Sequence, residues 1–231
     1  MHDEPGLLLS ICAAALLVAV FPVSAQSGAP EREVIELPPA DTEGSVPLER
    51  TLADRRSVRR YAAGALSLEE VGQLLWAAQG ETQPRTGYRT APSAGATYPL
   101  EMYLVAGRVD GLASGLYRYL PRRHEIERVG SVDLRQPLYD AALRQPMVRE
   151  AQVVLVITGV TERTERRYGA RAGRYVAMEA GHVSQSIYLQ ATAIGLGTVA
   201  VGAFDDGQVS SVLGLDGGEQ PLYLMPVGRR D

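Results

Sequence analysis

The sequence contains very little cysteine and histidine, which excludes several kinds of site. Cys12 is the one cysteine among 231 residues, and it lies in an apolar run near the N-terminus. If that run is removed, no thiol remains, which excludes disulfides, thiolate nucleophiles and cysteine metal sites. The three histidines, His2, His124 and His182, are too few and too scattered to form a metal site. We therefore expect no metal in this protein.

Several catalytic motifs are also missing. The sequence has no phosphate-binding GxxxxGK loop, no HExxH zinc pair and no GxSxG elbow. Gly195 and Gly197 precede a strand-like run instead of following one, so they are not a dinucleotide fingerprint. The net charge of -4, from 23 Lys+Arg and 27 Asp+Glu, gives no attraction to polyanions. We expect no nucleic-acid partner.

The N-terminal segment is typical of an export signal. Residues 6–23 are almost entirely apolar, and Val23 and Ala25 stand at the −3 and −1 places of a small-residue cleavage site. Residues 1–25 are therefore predicted to be a signal peptide, which would place the protein in the periplasm or outside the cell. The first five residues carry no Lys or Arg and two acids. An uncleaved membrane anchor, a lipid anchor at Cys12 and a wrongly assigned start codon therefore stay open as alternatives.

The rest of the chain divides into a short linker and one domain. Residues 26–47 are rich in Pro, Glu and small residues and have little periodicity, which predicts a linker or extended arm. Residues 48–231 are long enough to bury one sizeable core. This domain is the candidate for any binding or catalytic function.

Periodicity in the domain predicts alternating helices and strands. Residues 67–70 (SLEE) form a capping box, and apolar residues follow at helical spacing until Gly80. A longer helix is predicted at about residues 174–194. Short apolar runs predict strands at residues 102–106, 115–120, 125–129, 153–158, 198–201 and 221–227. This interleaving indicates an α+β domain with one central sheet.

An arginine-rich segment, residues 55–61 (RRSVRRY), is a candidate phosphate site. The planar guanidinium of arginine bonds phosphate oxygens in pairs, and a serine hydroxyl adds a further donor. Alternate residues of an extended segment also share one face. On its own the segment fits a solvated basic face, balanced by Asp54 and Glu49, at least as well.

The segment resembles the Arg-x-Ser-x-Arg motif of nitroreductase-like flavoproteins, and three later segments match that family in order and spacing. Residues 91–101 (APSAGATYPLE) resemble the flavin-packing loop in its SagB-type form, residues 174–206 the central helix and following strand, and residues 222–230 (LYLMPVGRR) the C-terminal strand. The chain is thus similar to SagB-type dehydrogenases over residues 52–230. The resemblance implies a nitroreductase-like fold with a central, mostly antiparallel sheet flanked by helices, in a homodimer whose subunits exchange arms.

The resemblance also implies FMN as the cofactor. A cation near N1 and a donor near N5 tune a reduced flavin, so the matched residues suit this role. Arg55 and Ser57 would hold the FMN phosphate with Arg56 nearby, and Arg59 would face the pyrimidine edge of the ring. Arg229, near the end of the chain, would form a further contact with the phosphate.

Small residues are implied on the ring side of the flavin. Ser93, Ala94 and Gly95 would line the isoalloxazine or ribityl chain, because small residues permit close approach. The backbone N–H groups around Gly202 and Ala203 would address N5. Each segment also has a plain alternative when taken alone, since residues 92–99 read as a turn-rich loop and Gly195 to Gly197 as a helix end.

One departure from the family concerns the substrate side. The azoline-oxidising members carry a Lys-Tyr pair before a glycine, and here the matching residues are Arg167, Tyr168 and Gly169. A guanidinium does not act as a general base near neutral pH, so azoline oxidation is not expected. Tyr168 is the candidate catalytic residue, as an acid or hydrogen-bond donor. The arginines around it suit an anionic or electron-rich substrate, or a solvated face.

The combined prediction is an FMN-dependent oxidoreductase. It would transfer hydride or electron pairs to or from a small-molecule or peptide substrate, with an electron donor that the sequence does not identify. The alternative is a non-catalytic flavin-binding or accessory protein of an exported redox system, because nicotinamide donors are scarce outside the cytoplasm. A cytoplasmic enzyme with a misleading N-terminus is a third possibility.

Overall fold

The structure is a computed structural model that describes residues 1–2 and 33–230. The apolar run of the predicted signal peptide, Cys12 and residues 26–32 of the predicted arm lie outside the described residues. Within the described residues, no helix is both long and apolar enough to cross a bilayer.

The described chain alternates helices with strands. The strands are β1 Val34–Glu36, β2 Glu81–Gln83, β3 Tyr88–Arg89, β4 Leu100–Ala106, β5 Gly115–Leu120, β6 Glu125–Gly130, β7 Val153–Gly159, β8 Leu196–Thr198 and β9 Gln220–Arg229. The helices are α1 Leu48–Asp54, α2 Leu68–Gln79, α3 Arg135–Ala141, α4 Pro146–Glu150, α5 Thr161–Tyr168, α6 Ala172–Ala193 and α7 Asp206–Leu213. Short 3₁₀ turns cover Ala94–Ala96 and Gly169–Arg171.

One sheet organises the domain. Among residues 33–230 its strand order is β1-β6-β5-β4-β7-β9-β8, and each of these neighbouring pairs is antiparallel. The central strands β4 and β7 are buried almost throughout. Buried strands of this kind must be covered on both faces, because successive side chains point to opposite sides of a sheet.

Helices cover both faces and divide the core into two layers. Met102 and Leu104 of β4 face the layer that contains the apolar sides of α2 and α6. Tyr103 and Val105 face the opposite layer, which is built from α3, α4 and α7. The long helix α6 therefore lies against the sheet on the same side as α2, and it carries much of the candidate site described below.

The predicted α+β architecture with a mostly antiparallel sheet is confirmed. Ser67 caps α2 through the complete capping box with Glu70, as the sequence predicts. The predicted hairpin forms between β5 and β6. The strand predicted at residues 198–201 is wrong in its bounds, because β8 ends at Thr198 and only Val201 returns to the sheet, in an isolated bridge to Leu224.

The predicted arm also contains regular structure. Val34–Glu36 forms β1, an edge strand that pairs with residues 125–127 of β6. Leu37 is 3% exposed and belongs to the core. The first described part of this segment is therefore a strand that is fixed to the sheet of the same chain.

Candidate functional site

The arginine-rich segment is fixed to the edge of the sheet. After α1 the chain runs beside β8, where the Val58 N–H donates to the Thr198 carbonyl at 2.9 Å and Ser57 pairs in parallel with Thr198. Gly197 makes this approach possible, because a Cβ at Gly197 would lie 2.6 Å from the Val58 side chain. The backbone around Ser57 is thus held in one place relative to β8.

Tyr188 of α6 connects this segment with the chain that follows β8. Its hydroxyl lies 3.1 Å from Ser57 Oγ and accepts a hydrogen bond from the Ala200 N–H at 2.8 Å. The Arg55 guanidinium stacks over the Tyr188 ring, 5.2 Å from its centroid. The structure therefore brings Arg55 and Ser57 together with residues only two positions before Gly202.

A cavity of about 310 Å³ opens beside this junction. It is lined by Ser57, Val58, Arg59, Arg60 and Arg230, so three arginines and one serine border it. Among residues 33–230, no carboxylate lines this cavity. Such a combination suits a phosphate group, which guanidinium forks bind through paired hydrogen bonds.

The C-terminal arginine that lines this cavity is Arg230 and not Arg229. The Arg229 guanidinium forms two hydrogen bonds of 3.1 Å to the Glu70 carboxylate, and its Nε donates to the Ala65 carbonyl at 2.9 Å. Arg229 is the last residue of β9 and Arg230 follows it, and the two side chains have different surroundings. Arg230 is therefore a second C-terminal candidate for the phosphate, and the contact expected of Arg229 stays a prediction.

Arg56 also lies differently from its neighbours. Its guanidinium donates to the carbonyls of Ala53 and Arg55, at 2.9 and 2.7 Å, and so satisfies carbonyl groups at the end of α1. Arg59 is exposed and lines the cavity. Within the segment, Ser57 and Arg59 therefore line the cavity, Arg55 stacks on Tyr188 and Arg56 closes α1, whereas the resemblance places Arg55 at the phosphate and Arg59 at the pyrimidine edge.

Gly202 and Ala203 follow the isolated bridge at Val201. Both residues are exposed, and the Ala203 carbonyl accepts a hydrogen bond from the Gln145 side chain at 2.8 Å. In the described part of the chain, their two N–H groups donate to no carbonyl oxygen or side chain. The two donors are thus free to bind a ligand, two and three residues after Ala200.

A second group of predicted residues meets at the loop after β3. Gly95 has a φ of +60°, and its carbonyl accepts a hydrogen bond of 3.0 Å from Arg167. A Cβ at Gly95 would lie 2.8 Å from the Tyr168 hydroxyl, so only glycine allows this contact. The Tyr168 ring packs edge-on against Tyr175, 4.9 Å away. Tyr168 and the loop residues Ser93, Ala94 and Gly95 therefore form one surface.

The two groups are carried by one helix. Helix α6 carries both Tyr188, which contacts Ser57, and Glu179, which interacts with Ser93. They are nine residues apart, roughly 13 Å along a helix axis. Both residues lie in the segment that resembles the family's central helix, but their roles could not be predicted because each acts through contacts with distant segments.

Comparison with known proteins agrees with this architecture. Residues 52–229 match the model of the nitroreductase family. A nitroreductase-type protein of Methanocaldococcus jannaschii is 47% identical over 196 residues, which cover 85% of this chain and 96% of that protein. A nitroreductase-type protein of Ralstonia eutropha JMP134 has a crystal structure that superposes with a TM-score of 0.76 at 32% identity, covering 86% of this chain and 90% of the other.

A more distant relative is a protein that processes microcin B17. The microcin B17-processing protein McbC of Escherichia coli is 29% identical over 157 residues, which cover 65% of this chain. This chain spans 57% of the length of McbC. A large part of McbC therefore has no counterpart in the aligned region.

Proposed function

Because the chain belongs to the nitroreductase family, we propose that it is an FMN-dependent oxidoreductase of the SagB type that acts as a homodimer. The observation that carries the proposal is the junction at Tyr188. There the Ser57 segment and the residues before Gly202 meet beside a cavity lined by three arginines. A planar cofactor with a phosphate at one end needs a cationic pocket and free N–H donors close together.

The residues around the junction fit FMN. Ser57, Arg59 and Arg230 would hold the phosphate end, and the N–H groups of Gly202 and Ala203 would face the ring. Ser93, Ala94 and Gly95 form a loop of small residues on which a flat ring can lie. When bound, FMN supplies reversible hydride and electron-pair chemistry, and the protein contributes position and charge.

Tyr168 and Arg167 would define the substrate side. The Tyr168 hydroxyl lies against Gly95 and is suited to donate a hydrogen bond or a proton to a substrate placed over the loop. Arg167 carries a permanent charge. The 231 residues contain no lysine, so no lysine base is present at any position. We therefore propose that the substrate is a small molecule or a peptide and that the reaction is not azoline oxidation.

An exposed face of α6 supports the homodimer. Ala177, Met178 and Gly181 are exposed on this helix, and the Met178 side chain is 47% exposed. Small residues and an exposed methionine on one helix face are suited to close packing against a second copy. Light scattering from the purified protein should give the mass of two chains, and the mass of one chain would contradict this part of the proposal.

Export remains a proposal that depends on residues 1–25. Nicotinamide donors are scarce outside the cytoplasm, so an exported enzyme would need a quinol or a protein as its electron donor. Mass spectrometry of the mature protein should find Gln26 at the N-terminus. Recovery of Met1 in the mature form would contradict cleavage.

Reconstitution with FMN tests the proposed function. We expect the purified protein to be yellow, or to become yellow with added FMN, and its visible absorbance band to bleach on chemical reduction. A colourless preparation that takes up no FMN would refute the proposal. Bound FMN without turnover with nicotinamide, quinol and artificial donors would favour a non-catalytic accessory protein.

The adjacent arginines at the end of β9 give a matched pair of variants. Arg230→Met removes a guanidinium from the cavity, so the Kd for FMN should rise at least fivefold while the melting temperature is unchanged. Arg229→Met leaves Glu70 without its ion pair, so stability should fall by about 1 kcal/mol while FMN affinity stays within twofold. Fluorescence titration and thermal unfolding measure both effects, and the reverse pattern would restore Arg229 to the site.

The hydroxyl of Tyr168 can be removed with little change to packing. Tyr168→Phe keeps the aromatic contact with Tyr175. Reoxidation of photoreduced holoenzyme by a nitroaromatic acceptor should slow at least tenfold, because a positioned acid typically contributes about 100-fold or more. FMN affinity should not change. An unchanged reoxidation rate would remove Tyr168 from the catalytic role.

A further inference from the structure

A closed group of polar side chains lies behind the loop that carries Gly95. Arg89 donates from its guanidinium to Gln79 Oε1 at 2.8 Å and stacks over the Tyr98 ring at 4.6 Å. The Arg89 N–H donates to the Tyr98 hydroxyl at 3.2 Å. The Tyr98 N–H in turn donates to Ser93 Oγ at 2.9 Å. These contacts join the end of α2, β3 and both ends of the loop.

Glu179 of α6 is the remaining member of this group. It is 2% exposed, and the side chains of Ser93 and Gln79 and the charge of Arg89 act on its carboxylate. Glu179 Oε1 and Gln79 Nε2 have no partner within hydrogen-bond distance among the described residues. Burying a carboxylate oxygen or an amide nitrogen without a hydrogen-bond partner costs free energy. Unpaired polar atoms of this kind in a folded protein therefore call for a physical or functional reason.

Ser93 is the loop residue whose side chain lies close enough to Glu179 to act on its carboxyl group. Its oxygen already accepts from the Tyr98 N–H, so its hydroxyl hydrogen is free to point to the carboxylate. The loop needs such support, because Gly95, Ala96 and Tyr98 all have positive φ, of 60°, 53° and 44°. Non-glycine residues hold this conformation only when their surroundings fix it.

We propose that Glu179 is a positioning residue, which holds the Ser93 hydroxyl and thereby fixes residues 94–98 in the conformation that places Gly95 against Tyr168. The consequence for FMN affinity rests on the proposed function, because it requires this loop to pack on the flavin. The effect on the loop itself does not depend on FMN. Nothing in the motifs of the sequence assigns this role to Glu179.

Four variants test the role. Glu179→Met removes both acceptors at similar volume, and Glu179→Gln keeps one carbonyl acceptor. Ser93→Ala removes the loop hydroxyl with a small change in volume at a half-buried position. The fourth variant combines Ser93→Ala with Glu179→Met. Ser184→Ala, at another buried polar residue of α6, is the control.

Hydrogen exchange of the 94–98 amides is the first measurement. We expect exchange at least tenfold faster in the Glu179→Met and Ser93→Ala variants, with the double variant no faster than either. The Glu179→Gln variant should stay within threefold of the parent, and Ser184→Ala should match it. Parental exchange rates in Glu179→Met, or additive effects in the double variant, would overturn the proposal.

FMN binding is the second measurement, on the same proteins. The Kd should rise at least fivefold in Glu179→Met and Ser93→Ala, with a shifted visible band of the bound flavin, and Glu179→Gln should restore the parental spectrum. If the parent binds no FMN, the proposed function fails, and the exchange rates still decide the role of Glu179. Faster exchange with unchanged Kd and spectrum would overturn the link to the flavin.

Discussion

Replacing Arg59 with alanine is expected to weaken FMN binding at least tenfold, a loss of about 1.4 kcal/mol. Arg59 is exposed and lines the cationic cavity beside Ser57, so its guanidinium is free to bind a ligand instead of a protein carboxylate. A guanidinium hydrogen bond to an anionic group is among the stronger contacts in a binding site. Quenching of flavin fluorescence during titration measures the Kd directly.

Arg50→Ala is the matched control for Arg59→Ala. Arg50 is also an exposed arginine, but it pairs with Asp54 on the surface of α1. Its removal should change the Kd less than twofold, because exposed pairs of this kind contribute little and lie away from the cavity. Equal Kd values for the parent and the Arg59→Ala variant would return Arg59 to the solvated surface.

Glu179→Gln is expected to make the protein more stable at pH 8 by about 3 kcal/mol. Burial raises the pKa of Glu179 from its ordinary value of 4.5 to about 7, although Ser93, Arg89 and Gln79 act in the opposite direction. In the unfolded chain the carboxyl ionises near pH 4.5, whereas in the folded protein it ionises near pH 7. Folding stability therefore falls as the pH rises between these values, and the loss is complete above pH 7.

Denaturant unfolding of both proteins from pH 4.5 to pH 8 measures this difference. The parent and the variant should differ least at pH 4.5 and most at pH 8, since glutamine does not ionise. Glu165→Gln, at an exposed position of α5, should follow the parental curve at every pH. Parallel curves for the parent and Glu179→Gln would contradict an ionising carboxyl at this buried position.

The parts of the fold with strong local signals could be predicted from the sequence. The capping box of α2 and the hairpin between β5 and β6 are encoded by residues close in the chain, and both are confirmed. The short helices α1, α3, α4, α5 and α7 were not predicted. Helices of five to eight residues have too few turns to show a clear period, and packing against the sheet stabilises them.

The candidate site could be predicted only in part, because motifs identify segments and not contacts. Ser57 was found from its arginine neighbours, but nothing in the sequence of the central helix predicts that Tyr188 joins Ser57 to Ala200. The choice between Arg229 and Arg230 depends on which side of β9 faces the cavity. That orientation is set by strand pairing across the sheet, which a single sequence does not display.

The buried group around Glu179 illustrates the same limit. Gln79, Arg89, Ser93 and Glu179 are spread over 100 residues of sequence, and each is an ordinary polar residue in its own segment. Their relation appears only when α2, β3 and α6 are brought together. Long-range polar contacts of this kind leave no local pattern, so they can be found only from the folded chain.

A crystal structure of the protein grown with FMN tests the central claim most directly. We expect the phosphate to lie within hydrogen-bond distance of Ser57 Oγ and of the Arg59 or Arg230 guanidinium. The edge of the ring should lie at the N–H groups of Gly202 and Ala203. The flavin bound elsewhere, with Ser57 and Gly202 contacting no common molecule in either subunit, would contradict it.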